Sequence, residues 1–295
     1  MDYYDTLEQL LDEAQKEDCK LSSLVLRQQA KEMESTPQVI FARMERQYDV
    51  MTQAVLKGME AGVRSNSGLT GGDANKLANQ IQMQKHLCGN FFTGALARAM
   101  AVSEINAAMG CIVAAPTAGS CGILPAAVIT MQMEKNIAKK DCIMSLFTAS
   151  AIGMVIEKNA CLSGAQGGCQ AECGSASAMA AAAIVELEGG TPDMIGHAVA
   201  IAIKNTLGLV CDPVAGLVEI PCIKRNASGV ANAFVAAELA LSGIKSAIPP
   251  DETIIAMKKV GDSMHTSLKE TGEGGLAATP TGQRIYRQLF NREEE

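Results

Sequence analysis

Cysteine is the residue type in this sequence with the most evident capacity for chemistry. Two of the ten cysteines, Cys169 and Cys173, lie in a glycine-rich segment, and Cys211 and Cys222 enclose a segment that contains two prolines. Cysteines in loops beside helix ends can converge on one point, and a positive helix N-terminus favours the thiolate form. Thiolates bind zinc and iron–sulfur clusters. The sequence therefore predicts a metal site. We expect most other cysteines to pack as small apolar side chains: Cys19, Cys88, Cys111, Cys142 and Cys161.

The spacing of the four cysteines does not identify the metal. It matches neither the paired Cys-x-x-Cys units of a zinc ribbon nor the short gaps of ferredoxins. Three thiolate ligands would leave one iron of a cluster open to a substrate, whereas four would indicate a structural or electron-transfer role. Two alternatives to a metal enzyme are a non-enzymatic redox or scaffold protein and a pyridoxal-phosphate lyase. The lyase needs a lysine embedded in a phosphate-binding loop, and the glycine-rich segments at 65–73, 115–122 and 163–174 contain none.

Four segments rich in glycine, proline and small polar residues are predicted to form the walls of the site. The first loop covers residues 65–73, the second 115–122, the third 163–174 and the fourth 211–226. Glycine permits positive φ angles and leaves backbone amides uncovered, so such loops can direct N–H groups towards an anionic ligand.

Helices are predicted to position these loops. Thr36 and Thr191 each place a capping oxygen before a proline, and Gly62 and Gly208 are expected to end the two helices. A third helix is expected to begin near Pro250. The alanine-rich run at 174–187 predicts a central buried helix.

The fold class predicted from these patterns is all-α. Alternating patterns typical of strands are scarce, and aromatic residues make up only 3% of a chain that is 48% hydrophobic, which favours closely packed helices. We expect a single compact helical catalytic domain over 1–295. Its parts are N-terminal helices at 1–62, a cluster-binding and substrate-binding core at 63–245 and C-terminal helices at 246–295.

Charge and composition restrict the partners and the compartment. A net charge of −7 argues against nucleic-acid binding, which depends on Lys and Arg. No charged residue lies between Glu104 and Glu134, but prolines and glycines interrupt this stretch, so we expect no membrane helix. The acidic N-terminus does not resemble a signal peptide, which predicts a cytoplasmic protein.

Several segments resemble a known family, the iron–sulfur-dependent L-serine dehydratases. They are Ser-Gly-Ala-Gln-Gly-Gly-Cys-Gln-Ala-Glu-Cys at 163–173, Cys-Asp-Pro-Val-Ala-Gly-Leu-Val-Glu-Ile-Pro-Cys-Ile-Lys-Arg-Asn at 211–226, Ala-Pro-Thr-Ala-Gly-Ser-Cys-Gly at 115–122 and Ser-Gly-Leu-Thr-Gly-Gly-Asp at 67–73. The likeness spans nearly the whole chain and is to the separate α subunit of the two-subunit bacterial type. It implies conversion of L-serine to pyruvate and ammonia.

The resemblance also implies a cofactor and its ligands. It implies that Cys169, Cys211 and Cys222 bind a [4Fe-4S] cluster, with the fourth iron reserved for the substrate. Cys173 stays open as a neighbouring thiol, a core residue or a ligand, and Cys121 is a weaker candidate ligand. The substrate-binding candidates are Ser67, Gly68, Thr70, Thr117, Gly119 and Arg225. The pair Lys224-Arg225 could hold a substrate carboxylate or form a solvated helix start.

The catalytic base is not identified within this chain. His86, His197 and His265 are predicted to be structural, and the resemblance implies that a histidine of a separate β subunit transfers the proton. Glu172 and Glu219 could orient the loops or carry protons. The tail at 291–295 lacks the cysteine with which some single-chain relatives block the open iron, so we expect no autoinhibition of that kind.

Overall fold

A computed structural model describes residues 4–290 of the chain. The tail at 291–295, and the autoinhibition argument that concerns it, lie outside the described residues, as do the first three residues. Within residues 4–290 the backbone forms thirteen α-helices and no strand beyond one isolated bridge between Cys211 and Lys269. The all-α prediction is confirmed.

The helices follow one another along the chain with short connections. They are α1 (Leu7–Lys16), α2 (Leu21–Glu32), α3 (Pro37–Gly58), α4 (Asp73–Gln82), α5 (Gly89–Ala107), α6 (Ile123–Lys135), α7 (Lys139–Asn159), α8 (Gly164–Gly167), α9 (Ser175–Leu187), α10 (Pro192–Lys204), α11 (Cys222–Leu241), α12 (Pro250–Ser263) and α13 (Pro280–Phe290). A π-helical turn at Gln170–Gly174 precedes α9. Three 3-10 turns lie at Val214–Gly216, Thr266–Leu268 and Gly275–Ala278.

The predicted helix starts are confirmed at their capping residues. The hydroxyl oxygen of Thr36 accepts a hydrogen bond from the Val39 amide at 3.3 Å, and Thr191 caps α10 in the same way. The predicted ends are wrong by four residues, because α3 ends at Gly58 and α10 at Lys204. Gly62 and Gly208 adopt positive φ angles of 87° and 84° in the turns that follow each helix.

Helix α9 lies at the centre of the molecule, as its alanine content predicts. Every residue from Ser175 to Glu186 is buried, and the helix packs against α6, α7, α10 and α11. Small side chains permit this because they let neighbouring backbones approach closely. The same principle applies where α11 crosses α6, since a Cβ atom on Gly229 would lie 2.3 Å from Ile123 Cδ1.

The uncharged stretch after Glu104 forms parts of α5 and α6 with the second loop between them. No helix among residues 4–290 has the length and apolar content that a bilayer crossing requires.

Candidate active site

The third loop differs from its prediction, because most of it is helical. It contains α8, Gly168 with a φ of 76°, and the π-helical turn that leads directly into α9. Gln, Ala and Glu within the turn favour helix, so the flanking glycines do not keep this segment extended. Single π-turns are frequent at functional sites. Cys169 precedes this turn and Cys173 lies within it, with their Sγ atoms 3.3 Å apart.

The side chain of Gln170 fixes the π-helical turn in the fold. It is fully buried, its Nε2 donates to the carbonyl of Met257 at 2.9 Å, and its Oε1 accepts from the Gly208 amide at 2.9 Å. A buried amide with both ends bonded holds a single orientation. Gln170 therefore holds Cys169 at a fixed place between α12 and the turn that follows α10.

Cys211 is positioned by its backbone. Its amide donates to the carbonyl of Leu268 at 2.9 Å, and its carbonyl accepts from the Glu270 amide at 2.8 Å. Its Sγ is buried and lies 3.9 Å from Glu172 Oε2. Cys222 reaches the same region as the first residue of α11.

The three cysteines of the predicted ligand set come together in this site. Burial raises the pKa of Cys211, and that of Cys222 to about 12. The nearby Cys169 and Glu172 raise the pKa of both thiols further, which places these two cysteines beside Cys169. Cys169 differs, because its side-chain hydrogen bond with Cys173 and then the charge of Arg225 lower its pKa. Of these three cysteines, Cys169 is the one whose pKa is lowered.

Glu172 brings a buried carboxylate to the cysteines. Burial raises its pKa, and a 2.7 Å hydrogen bond from Thr117 Oγ1 opposes this effect. Two glycines leave the space for the carboxylate. A Cβ atom on Gly164 would lie 2.7 Å from Oε2 and 2.9 Å from the Sγ of Cys211, and one on Gly119 would lie 3.0 Å from Oε1. Close approach, not a positive φ, requires glycine at these two positions.

Arg225 provides the positive charge of the site. Its Nη1 donates to the carbonyl of Val210 at 2.7 Å, and its Nη2 forms an ion pair with Asp212 at 2.8 Å. The guanidinium also interacts with Cys169. The neighbouring Lys224 is exposed and pairs with Asp73 at 3.2 Å. Of these two cations, the structure brings Arg225 to the cysteines and leaves Lys224 at the surface.

The first loop contacts the fourth loop through one side-chain pair, in which Thr70 Oγ1 donates to Glu219 Oε2 at 2.7 Å. Ser67 and Gly68 are bonded within their own loop, where the Ser67 hydroxyl lies 3.1 Å from that of Ser65. Glu219 therefore joins the first loop to the fourth. The structure connects Thr70, but neither Ser67 nor Gly68, to the segment between the cysteines.

The histidines have local partners or none. His197 accepts a hydrogen bond from the Ser246 amide at 3.3 Å, and His265 accepts one from the Ser267 amide at 3.2 Å. Neither ring nitrogen of His86 has a partner among the described residues. Across residues 4–290, no hydrogen bond or ion pair joins a histidine to a cysteine.

A C-terminal segment, residues 264–276, covers the site and was missed by sequence reasoning. Its Leu276 amide donates to Asp212 Oδ2 at 2.8 Å, and its Glu270 interacts electrostatically with Glu172. Gly275, with a φ of 56°, packs against Asp212, where an added Cβ would lie 2.4 Å from the carboxylate. The run Thr-Gly-Glu-Gly-Gly at 271–275 was the available signal, since it is a further glycine-rich segment.

The donor set of the site fits an iron–sulfur cluster. Its potential ligands are buried thiols, which iron–sulfur clusters require, and Arg225 offsets part of their negative charge. No three His, Cys, Asp or Glu side chains among the described residues are arranged to hold a single metal ion. A cluster distributes its ligands over several irons. Cys121 is fully buried, and burial raises its pKa to about 12.

Fold and site together define a helical protein with a buried site of cysteines, an arginine and a carboxylate. Over residues 16–277 the sequence matches the family described as the serine dehydratase alpha chain. This chain belongs to that family.

The chain is similar to curated relatives of about its own length and to longer ones. The probable L-serine dehydratase alpha chain of Bacillus subtilis is 51% identical over 284 residues, which are 96% of this chain and 94% of that protein. The L-serine dehydratase alpha chain of Peptoniphilus asaccharolyticus is 45% identical over 285 residues, 97% of this chain and 98% of the relative. L-serine dehydratase TdcG of Escherichia coli is 44% identical over 181 residues, 61% of this chain and 40% of that protein.

Proposed function

We propose that this chain is the α subunit of an L-serine dehydratase, a lyase that removes water from L-serine to give pyruvate and ammonia. The family membership and the names of the Bacillus subtilis and Peptoniphilus asaccharolyticus relatives support the activity. The structural observation that carries the proposal is the convergence of Cys169, Cys211 and Cys222 beside Glu172 and Arg225.

In this proposal Cys169, Cys211 and Cys222 hold a [4Fe-4S] cluster. When bound, the cluster supplies a Lewis acid that assists departure of the substrate hydroxyl. We place Cys173 outside the ligand set, because its Sγ is hydrogen-bonded to that of Cys169 at 3.3 Å and its own pKa is raised. A protonated thiol in that place stabilises the Cys169 thiolate without ligating.

Arg225 holds the carboxylate of the substrate. Its guanidinium is fixed by Val210 and Asp212, and it still has N–H donors that these partners do not use. A fork of donors in a fixed orientation suits a planar carboxylate. Thr117 and Gly119 in the second loop, with Ser67, Gly68 and Thr70 in the first, supply the remaining polar contacts to the substrate.

The β subunit completes the site. Removal of the α-proton requires a base, and no histidine of the described residues bonds to a cysteine of the site. We assign the base to a histidine of the β subunit, so that α and β form the working enzyme as a heterodimer or a higher assembly. The term alpha chain in the names of the relatives agrees with a second subunit.

Anaerobic reconstitution with ferrous iron and sulfide, in the presence of the β subunit, tests this function. We expect the wild-type pair to bind iron and release pyruvate from L-serine. Cys169→Ala, Cys211→Ala and Cys222→Ala should each lose both properties. Cys142→Ala is the matched control, because Cys142 is buried on α7 beside Val128 and should leave both unchanged. Full turnover by all three variants, or a wild-type pair without iron, contradicts the proposal.

One observation favours a second candidate function, a redox or scaffold protein whose cluster has four thiolate ligands. The 3.3 Å contact between Cys169 and Cys173 places a fourth sulfur within the site. Cys173→Ala separates the two functions. With three ligands the variant keeps its iron and its pyruvate production, whereas with four ligands it loses iron and the wild-type pair shows no turnover of serine.

A further inference from the structure

A surface cavity of about 680 Å³ opens between α2, α3, α7 and the C-terminal end of α9. Its volume is within the range of small-molecule sites in proteins. None of the residues that line it belongs to the four loops, so it is separate from the cysteine site. Helix α9 spans the distance between the two, about 20 Å at 1.5 Å for each of its 13 residues.

The floor of this cavity holds a carboxylate without a cation. Glu186 is only 5% exposed, and its Oε2 accepts hydrogen bonds from the Ser22 amide at 3.0 Å and from Thr148 Oγ1 at 2.5 Å. No hydrogen bond or ion pair from the described residues reaches Oε1. Buried carboxylates are normally paired, because burial of an unpaired charge is costly. Oε1 of Glu186 can therefore accept hydrogen bonds from a ligand.

A second unsatisfied oxygen lines the same cavity. The hydroxyl of Ser22 is fully buried and has no hydrogen-bond partner among the described residues. Buried polar groups in folded proteins are nearly always bonded to protein or to a bound molecule. Because the Ser22 side chain is 0% exposed, there is no space beside its hydroxyl for a ligand atom, and Glu186 Oε1 is the acceptor that remains for a primary ammonium group.

The remaining charges of the cavity indicate a zwitterionic ligand. Lys20 and Lys140 line it, are exposed, and form no ion pair with the part of the chain that the structure describes. Asp141 and Glu186 also line the cavity, so the formal charges of its four charged side chains sum to zero. A ligand with one cationic and one anionic group leaves that balance intact, whereas a polyamine or a dicarboxylate does not.

The rest of the wall is apolar and partly exposed. Leu26 on α2, Phe41 on α3 and Met144 on α7 line the cavity above its polar floor. These side chains can cover an apolar substituent of the ligand, which gains roughly 25 cal/mol for each Å² removed from water.

We propose that this cavity is a second amino-acid site, which binds a free α-amino acid with an apolar side chain. The ammonium group bonds to Glu186 Oε1, and the carboxylate bonds to Lys20 and Lys140. The apolar side chain packs against the hydrophobic wall. A neighbouring cavity of about 440 Å³ also reaches Lys20 and Glu186, but neither Ser22 nor the apolar wall lines it.

Isothermal titration calorimetry of the full chain with L-leucine, L-methionine and L-phenylalanine tests the proposal. We expect at least one of the three to bind. Two analogues of L-phenylalanine separate the contributions of its groups: 2-phenylethylamine lacks the carboxylate, and 3-phenylpropanoate lacks the ammonium. Each should bind at least about tenfold more weakly than the amino acid. The measurement needs neither a cluster nor a β subunit, so its failure leaves the proposed dehydratase function untouched.

Three variants assign the binding to this cavity. Glu186→Gln keeps an oxygen for Ser22 and Thr148 but removes the charge, and should weaken binding at least about tenfold. Lys140→Ala should weaken binding as well. Lys139→Ala is the matched control, because Lys139 pairs with Glu45 and Asp49 and does not line the cavity. The proposal is overturned if none of the amino acids binds at millimolar concentration, or if binding survives both Glu186→Gln and Lys140→Ala.

Discussion

Thr117 donates a 2.7 Å hydrogen bond to Glu172, and this bond joins the second loop to the π-helical turn that contains Cys173 and directly follows Cys169. The acceptor is a buried carboxylate, only 9% exposed, so the bond is both short and assisted by charge. The contact shows how loops that are distant in sequence form one wall of the site.

Removal of the Thr117 hydroxyl should destabilise the fold. We expect Thr117→Val to lower the free energy of unfolding by about 2 kcal/mol, the usual range for a bond to a charged group. Thr253→Val is a suitable comparison, because the Thr253 hydroxyl donates at the same 2.7 Å distance to a neutral carbonyl, that of Pro250. It should cost only about 1 kcal/mol in urea denaturation. Equal losses would show that the charge of Glu172 contributes nothing.

The start of α4 depends on Glu104, whose carboxylate accepts hydrogen bonds from the amides of Gly72 at 3.1 Å and Asp73 at 2.8 Å. Glu104→Ala removes both acceptors and should lower the free energy of unfolding by about 3 kcal/mol. Glu104→Gln retains one oxygen and should cost about half as much. Denaturant unfolding followed by circular dichroism measures both, and an alanine variant as stable as the glutamine variant would refute this role.

The same carboxylate should make stability depend on pH. Burial raises the pKa of Glu104 above its usual 4.5, and the amide hydrogen bonds only partly oppose this. The folded chain therefore binds a proton at Glu104 more tightly than the unfolded chain does. The stabilisation that this protonation provides is lost as pH rises through the pKa of Glu104 in the folded chain. Relative to Glu104→Gln, the wild-type chain should be more stable below pH 4.5 than at neutral pH. A difference independent of pH would contradict the shift.

Crowding at Gly164 should be detectable through the thiol of Cys211. An added Cβ would lie 2.9 Å from Cys211 Sγ, so Gly164→Ala forces the sulfur or Glu172 to move, at a cost of about 1–3 kcal/mol. Titration with a thiol reagent should then show one additional reactive cysteine in the folded chain. Gly189→Ala is the control, because it strains a φ of 78° with no atom nearby. An unchanged number of reactive cysteines in folded Gly164→Ala would contradict this prediction.

The ion pair of Asp212 with Arg225 should stabilise both the fold and the C-terminal segment. Asp212→Asn leaves a half-buried guanidinium without its counter-charge, and we expect a loss of about 3 kcal/mol. Limited proteolysis at 270–276 should become faster, since Asp212 also binds the Leu276 amide. In contrast, Asp262→Asn breaks the exposed pair with Lys258 and should change neither stability nor proteolysis. Equal effects of the two substitutions would contradict the role of Asp212.

Local patterns in the sequence predicted the helices well. Capping residues such as Thr36 and Thr191 act within one turn of their helix, so the sequence alone marks these starts. The alanine content of α9 likewise predicted its burial. Helix ends were less predictable, because Gly62 and Gly208 serve the following turns rather than the helices themselves.

The site could be predicted only in part, since its wall depends on contacts between distant segments. The cysteines and Arg225 were found from their residue types and from the resemblance. The roles of Gly119 and Gly164 follow from the position of the Glu172 carboxylate, which no local pattern encodes. The π-helical turn was missed because its residues also suit an ordinary helix or a loop.

The pairing of Cys211 with the C-terminal segment affects the order in which the protein matures. The backbone of Cys211 is bonded to Leu268 and Glu270, and its neighbour Asp212 is bonded to Leu276. During synthesis these residues emerge from the ribosome after all the cysteines have been made. In the proposed enzyme, Cys211 should therefore reach its final position for cluster binding only after residues 268–276 have been synthesised.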